Sequence, residues 1–218
     1  ITPLPHNTLS GQASRQLSYQ AQTPVNPASV MKLFTTYAGL SLLGPEHVWR
    51  NRIDTDGPLR DGVLLGNLIV RGSGDPKLVV ERLQELLAQV QAAGVREVRG
   101  DIVLDRSVFD VRERSEPFDD EPLRPYNVSP DGLLVNFKAV VYKFTPDTAG
   151  GPVQVRFEPP LAGLSVTAQL PATQGPCNDW RRQLQADFSQ PLQVRFAGSY
   201  PVRCGEREWP VAYPDPEA

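Results

Sequence analysis

The sequence contains little histidine, cysteine and lysine. Its 218 residues include two histidines, His6 and His47, and two cysteines. A structural zinc site needs four ligands of these two types, and their spacing here matches no zinc pattern. Neither histidine stands in a motif that resembles a Ser-His-Asp arrangement. The sequence therefore predicts no metal site, and a serine nucleophile in this chain would need a base other than histidine.

The chain also lacks long apolar runs and a strong excess of charge of one sign. Its net charge of −3 does not indicate binding to nucleic acid or to an anionic membrane surface. No apolar run is long enough to cross a bilayer, and no signal peptide is recognisable. At this length the chain can bury a core as one large domain or two smaller ones. We expect no nucleic acid partner and no transmembrane segment.

The two cysteines, Cys177 and Cys204, both lie in loop-like surroundings with proline or glycine next to them. A disulfide between them would stabilise the fold by about 3 kcal/mol through its effect on the unfolded chain. Two unconnected buried thiols are the alternative. The disulfide interpretation favours an oxidising compartment, so we expect a periplasmic or extracellular protein in its mature, secreted form.

Residues 27–43 carry the signals of a single helix. Asn26 suits the N-cap and Pro27 the first helical position, while Gly44 and Pro45 form a stop signal. Between these ends the apolar residues recur at helical spacing: Val30, Leu33, Phe34, Tyr37, Leu40, Leu42 and Leu43. Most of this helix is therefore expected to lie inside a core.

Ser29 and Lys32 lie three residues apart at the start of this helix, so their side chains share one face. A serine hydroxyl is a weak nucleophile until a neighbouring base accepts its proton. Lysine acts as that base only where its ammonium form is destabilised. Of the four lysines, only Lys32 has a serine three positions earlier. The alternative is an ordinary helix start with an exposed serine and a lysine that reaches water.

The rest of the sequence alternates short strand patterns with turns. Residues 63–70 predict a strand or hairpin, 78–93 an amphipathic helix and 100–105 a strand, in the order of a small α/β unit. Further predictions are strands at 133–137, 139–144, 153–157 and 192–196, a loop at 171–178, and a tail without an element at 209–218. The glycines of the turn at 71–76 complete no nucleotide-binding fingerprint, so no cofactor is expected.

Four segments of the sequence resemble motifs of one protein family and occur in the same order as in that family. The first is Asn-Pro-Ala-Ser-Val-Met-Lys-Leu at 26–33, and the others lie at 66–76, 100–109 and 126–137. Together they resemble the class C low-molecular-mass penicillin-binding proteins, the serine D-alanyl-D-alanine carboxypeptidases/endopeptidases of the penicillin-binding protein 4 type. The two cysteines look like that family's cysteine pair. The resemblance spans roughly residues 24–212.

The resemblance implies a mixed α+β fold. A transpeptidase/β-lactamase-like domain would begin with residues 1–50, a β-rich insert of one or two small domains would occupy 51–212, and 213–218 would start the return to the catalytic domain. Ser29 would be the nucleophile that is acylated by peptidoglycan stem peptides ending in D-Ala-D-Ala, and Lys32 would be its base. Penicillins and other β-lactam antibiotics would acylate the same serine.

Two further motifs of the family do not occur in these 218 residues, namely Ser-x-Asn and Lys-Thr-Gly. In the family both follow the insert. We therefore expect the sequence to be incomplete and, as it stands, to lack peptidase activity. A rival hypothesis is a non-catalytic module that binds cell-wall peptide or a protein partner.

The acidic loop at 118–126 carries a weaker part of the resemblance. Some members of the family place an acidic residue and, five positions later, an aromatic residue over the catalytic cleft, where they meet the amine of the substrate's diamino acid. Glu121 and Tyr126 have this spacing, with Asp120 as the alternative acidic residue. The resemblance implies that these residues bind substrate. The alternative is an acidic loop that is simply solvated.

Overall fold

The computed structural model describes residue 20 and residues 22–111, 119–147 and 149–213. The chain divides into two compact units, Ile1–Val48 and Trp49–Ala218. His6 and the start of the acidic loop at residue 118 lie outside the described residues. That the first unit belongs to a catalytic domain, and the second to an insert, stays a prediction.

The first unit contains the predicted helix. A 3-10 turn, Ala28–Val30, leads into α1, Met31–Leu43, and Gly44 ends the helix with a φ of 81°. The side-chain oxygen of Asn26 accepts a hydrogen bond from the backbone N–H of Ala28 at 2.9 Å. The predicted end at Gly44 is confirmed, but Pro27 rather than Asn26 is the N-cap of the 3-10 turn, and the α-helix itself begins only at Met31.

The predicted burial of this helix is wrong for the structure described. All seven apolar residues of the pattern are exposed, from 52% for Leu43 to 84% for Leu42. The described part of the first unit contains no other α-helix or strand that could cover them. Helical spacing shows that a helix has apolar side chains to bury, but it does not identify the element that packs on them.

The N-terminal half of the second unit forms two small sheets and a helix. In chain order its elements are β1 Arg52–Thr55, β2 Leu59–Arg60, β3 Val63–Leu64, β4 Leu68–Arg71, α2 Val80–Ala92, β5 Glu97–Val98 and β6 Ile102–Asp105. The sheets have the strand orders β1-β4-β6 and β2-β3-β5. Strands β4 and β6 are parallel, with α2 between them in the chain. This confirms the predicted α/β unit, and it divides the predicted strand at 63–70 into β3 and β4.

Gly72 follows β4 where two backbone segments approach closely. A Cβ atom on this residue would lie 2.1 Å from the carbonyl oxygen of Gly132 and 2.8 Å from Leu133 Cβ. Because a backbone carbonyl cannot rotate away as a side chain can, we expect Gly72→Ala to lower the free energy of unfolding by about 2–3 kcal/mol. Urea unfolding measures the change. Gly175→Ala is the control, since its Cβ would meet only Thr173 Oγ1 at 3.8 Å, and equal losses in the two variants would contradict the prediction.

The C-terminal half of the second unit is mostly β-structure around the larger core. Its elements are β7 Ala139–Thr145, β8 Val153–Glu158, β9 Ser165–Val166, β10 Gln169–Leu170, β11 Ala172–Thr173, α3 Trp180–Gln183, β12 Leu184–Gln190, β13 Gln193–Gly198, β14 Tyr200–Pro201 and β15 Arg207–Ala212. The main sheet has the order β10-β8-β7-β15, and β12-β13-β9 forms a second sheet. Aromatic side chains fill the space between strands, with Phe144 stacked on Tyr200 and edge-on to Phe196.

The structure corrects two of the strand predictions in this half. Residues 133–137 are not a strand, and Asn136, Phe137 and Lys138 have φ values of 49°, 55° and 52° in a left-handed turn. The tail predicted to lack an element contains β15, which pairs antiparallel with β7. Pro210 lies within β15, and an edge strand tolerates proline because the side that lacks a partner strand needs no N–H donor.

Cys177 and Cys204 form a disulfide, with their Cα atoms 4.9 Å apart. The Cys204 side chain is 6% exposed and belongs to the larger core. The bond ties the segment before α3 to the turn before β15. Among the helices of the described residues, none has the length and apolarity that a membrane crossing requires.

Candidate active site

The helix start brings Ser29 and Lys32 together. Lys32 Nζ lies 2.8 Å from Ser29 Oγ and donates a hydrogen bond to it. The 3-10 turn holds Ser29, and Lys32 is the second residue of α1, so the two side chains leave adjacent turns on one face. Both residues are exposed. A nucleophile and a base within hydrogen-bonding distance are the first geometric requirement for covalent catalysis.

The backbone just before Ser29 is strained. Ala28 has a φ of 43°, in the left-handed region that residues with a Cβ rarely adopt. Such a conformation costs on the order of 1 kcal/mol and is found disproportionately at functional sites. It fixes the direction in which the chain enters the helix, and hence where Ser29 is presented.

The carboxylates of the acidic loop have different hydrogen-bond partners. The Tyr126 hydroxyl donates a hydrogen bond of 2.5 Å to Asp119. Glu121 instead accepts a hydrogen bond of 3.3 Å from Nε of Arg124. Asp120 has a φ of 56°, and no side-chain partner of its carboxylate is found among the described residues. The structure thus places Asp120, Glu121 and Tyr126 in one loop without direct bonds among their side chains.

Asp119 was missed by the sequence reasoning. The hydrogen bond from Tyr126 lowers the pKa of Asp119, and the same bond raises the pKa of the Tyr126 hydroxyl. The only sequence feature that could have indicated this bond is an acidic residue seven positions before a tyrosine, with prolines between them that favour a turn. That spacing is too common to single out one of three consecutive acidic residues.

An open cleft of about 530 Å³ lies beside Tyr126. Its lining includes Arg124, Tyr126, Asn136, Phe137, Val141 and Pro210. Tyr126 is 63% exposed and Phe137 is 49% exposed, so two aromatic rings of this lining meet solvent. The left-handed turn at 136–138 supplies Phe137.

Positive charge gathers on the Glu121 side of the loop. Arg181 lies over the rings of Trp180 and Trp209, 5.4 Å from each centroid. Burial lowers the pKa of Arg181, and the nearby positive charge of Arg124 lowers it further. Glu121 therefore faces cations of the chain itself, whereas the Asp120 carboxylate has no such partner within the described ranges.

No group of three or more His, Cys, Asp and Glu residues is arranged to hold a metal ion within the part of the chain that the structure describes.

A family model for the D-Ala-D-Ala carboxypeptidase 3 (S13) family matches residues 9–218. The chain belongs to this family. Two curated relatives match a segment of this chain, and the matched segment is about a fifth of each relative's length. D-alanyl-D-alanine carboxypeptidase DacB of Haemophilus influenzae is 38% identical over 96 residues, which are 44% of this chain and 20% of that protein. D-alanyl-D-alanine carboxypeptidase of Actinomadura sp. (strain R39) is 40% identical over 99 residues, 44% of this chain and 18% of that protein.

Two solved structures share the fold of this chain. Penicillin binding protein 4 (dacB) from Haemophilus influenzae superposes with a TM-score of 0.64 at 24% identity, over 87% of this chain and 42% of that one. A second crystal structure of the same protein, complexed with a novel β-lactam, superposes with a TM-score of 0.56 over 87% of this chain and 39% of that one. The mixed α+β fold expected from the sequence is confirmed.

Proposed function

We propose that this S13 chain carries the nucleophile of a serine D-alanyl-D-alanine carboxypeptidase/endopeptidase that acts on peptidoglycan stem peptides. The observation that supports this most directly is the 2.8 Å contact between Lys32 Nζ and Ser29 Oγ. Family membership supplies the reaction class. The contact concerns one turn of the helix, whereas the family assignment uses residues 9–218 as a whole, the helix included.

The reaction proceeds through an acyl-enzyme. Ser29 Oγ attacks the carbonyl carbon of the penultimate D-alanine while Lys32 Nζ accepts the hydroxyl proton. Collapse of the tetrahedral intermediate breaks the C–N bond, and the leaving amine of the terminal D-alanine takes up the proton that Lys32 had accepted. Water then hydrolyses the ester and regenerates the Ser29 hydroxyl. In the endopeptidase reaction, the leaving amine belongs to the cross-linked neighbouring stem.

The position of Ser29 suits the charge that develops on the carbonyl oxygen. Backbone N–H groups of the first helical turn lack acceptors within the helix, and the helix dipole favours negative charge there. The Ser29 N–H would provide part of the oxyanion hole. A penicillin acylates the same oxygen by opening its lactam ring, so the whole antibiotic stays bound to the serine.

The acidic loop would recognise the amine of the diamino acid in the stem peptide. Asp120 and Glu121 are its candidate carboxylates and Tyr126 its aromatic group. Asp120 is the better candidate because Glu121 already pairs with Arg124, while the described residues give Asp120 no competing partner. An ammonium group would form a charge-assisted hydrogen bond with this carboxylate. The disulfide supports a periplasmic or extracellular location for this reaction.

The test is to find where penicillin binds covalently. The protein is expressed from its full reading frame, because residues 1–218 contain neither Ser-x-Asn nor Lys-Thr-Gly. After incubation with a fluorescent penicillin, mass spectrometry of proteolytic peptides should place one penicilloyl group on Ser29. A protein that stays unlabelled, or one labelled at another serine, would overturn the proposal and would favour a non-catalytic peptide-binding module.

A further inference from the structure

The carboxylate of Asp119 is the centre of the hydrogen bonds in the acidic loop. One of its oxygens accepts from the Tyr126 hydroxyl at 2.5 Å, and the other accepts from Nδ2 of Asn127 at 2.7 Å. The second oxygen also accepts from the backbone N–H of Glu121 at 3.2 Å. Asn127 closes the same loop by donating to the Glu121 carbonyl at 3.0 Å. Asp119 thus joins the beginning of the loop to its end.

The bond to Asp119 restrains the direction of the Tyr126 side chain. Its ring is 63% exposed and forms part of the lining of the cleft. An exposed tyrosine exchanges rapidly among rotamers unless a contact selects one. Anchoring the hydroxyl removes that freedom before a ligand arrives, which lowers the entropy lost on binding.

We propose that Asp119 is a positioning residue that holds Tyr126 in the orientation that receives the diamino acid side chain of the stem peptide. This inference rests on the proposed function of the loop. The three hydrogen bonds that Asp119 accepts all come from within the loop, from the Tyr126 hydroxyl, the Asn127 amide and the Glu121 N–H, so its role is to order the loop. Asp119 therefore orders the loop, and Asp120 or Glu121 would bind the ammonium group of the substrate.

The contact also has a spectroscopic signature. Ionising Tyr126 would break its hydrogen bond and place a phenolate beside a carboxylate, which is why its pKa is raised. We expect Asp119→Asn to lower the pKa of Tyr126, so that this tyrosine ionises at a lower pH. The ultraviolet titration of Tyr126 is isolated by subtracting the Tyr126→Phe variant from each parent. An unchanged titration would overturn the contact and the inference with it.

The functional arm compares two stem peptides that differ only in whether the diamino acid amine is free or acetylated. The unmodified protein from the full reading frame should favour the free amine through a lower KM. We expect Asp119→Ala to raise KM for the free-amine peptide roughly five- to tenfold, with kcat little changed and the acetylated peptide unaffected. Asp119→Asn should fall between the two, because it keeps only one acceptor oxygen.

Two controls separate positioning from general damage. Asp187→Asn removes an exposed aspartate that accepts from the Ser189 N–H in another turn, and it should leave both peptides unaffected. In the Tyr126→Phe background, Asp119→Ala should add little further loss, since the bond is already absent. If the unmodified protein does not distinguish the two peptides, the loop's proposed function and this inference both fail. If it does distinguish them and Asp119→Ala preserves the difference, only this inference fails.

Discussion

Ser29→Ala should abolish labelling by a fluorescent penicillin, and Lys32→Arg should come close to the same loss. Alanine removes the attacking oxygen. Arginine keeps a positive charge near Ser29 Oγ, but its guanidinium does not give up a proton under working conditions and so cannot act as the base. In groups that act as a unit, removing either partner costs most of the rate, so we expect acylation to slow by about 10³-fold or more. The measured quantity is the acylation rate of the protein expressed from its full reading frame.

Comparing two replacements of Lys32 decides what the lysine does. If Lys32 serves as a proton acceptor, Lys32→Arg and Lys32→Ala should be similarly slow. If it contributes only charge, arginine should restore much of the rate that alanine loses. Ser41→Ala, on the same helix, and Lys77→Arg are matched controls that should keep the rate of the unmodified protein. Rapid acylation of Lys32→Ala would contradict the proposed mechanism.

The pairing of Ser29 with Lys32 could be predicted from the sequence because it is a local property. Residues three apart in a helix face the same way whatever surrounds the helix, and Gly44 predicted the end of α1 correctly, although α1 begins at Met31 rather than at Pro27. The roles of the acidic loop could not be predicted to the same degree. Which carboxylate bonds Tyr126 depends on backbone turns such as the left-handed Asp120, and loop turns are not periodic in sequence.

The helices and strands also differ in how far the local sequence predicts them. Helix α2 and strands β6, β7, β8 and β13 lie close to their predicted positions because apolar periodicity marks them. Strand β15 was missed because it begins with the charged residues Arg207 and Glu208 and contains Pro210. It is stabilised by pairing with β7, which lies far away in the chain. The apolar segment at 133–137 resembles a strand in composition, yet it has no partner strand in the described structure and turns left-handed instead.

Strand β12 was also not predicted, although the sequence contains the alternating pattern of a strand there. Leu184, Ala186 and Phe188 alternate with polar residues and turn toward the core, with Leu184 only 4% exposed. The strand then pairs antiparallel with β13. A count of alternation along every segment would have found it.

Reducing the Cys177–Cys204 disulfide should destabilise the second unit strongly. The two cysteines are 27 residues apart in sequence. Without the bond, the larger entropy of the unfolded chain should lower the free energy of unfolding by about 3 kcal/mol at 25 °C. The bond also anchors the larger core, because Cys204 packs among the buried residues of that core. For a unit of this size, the loss corresponds to a fall in Tm of about 10 °C.

Urea unfolding of the 218-residue chain with and without a thiol reductant measures this effect without changing any side chain. The chain contains no other cysteine, so a reductant acts on this bond alone. The control is the Cys177→Ala/Cys204→Ala variant, whose unfolding curve should not move when the reductant is added. The variant should lie slightly below the reduced protein, since it also loses the buried sulfur of Cys204. Coincident curves for the oxidised and reduced chain would show that the bond contributes nothing to the stability of this fold.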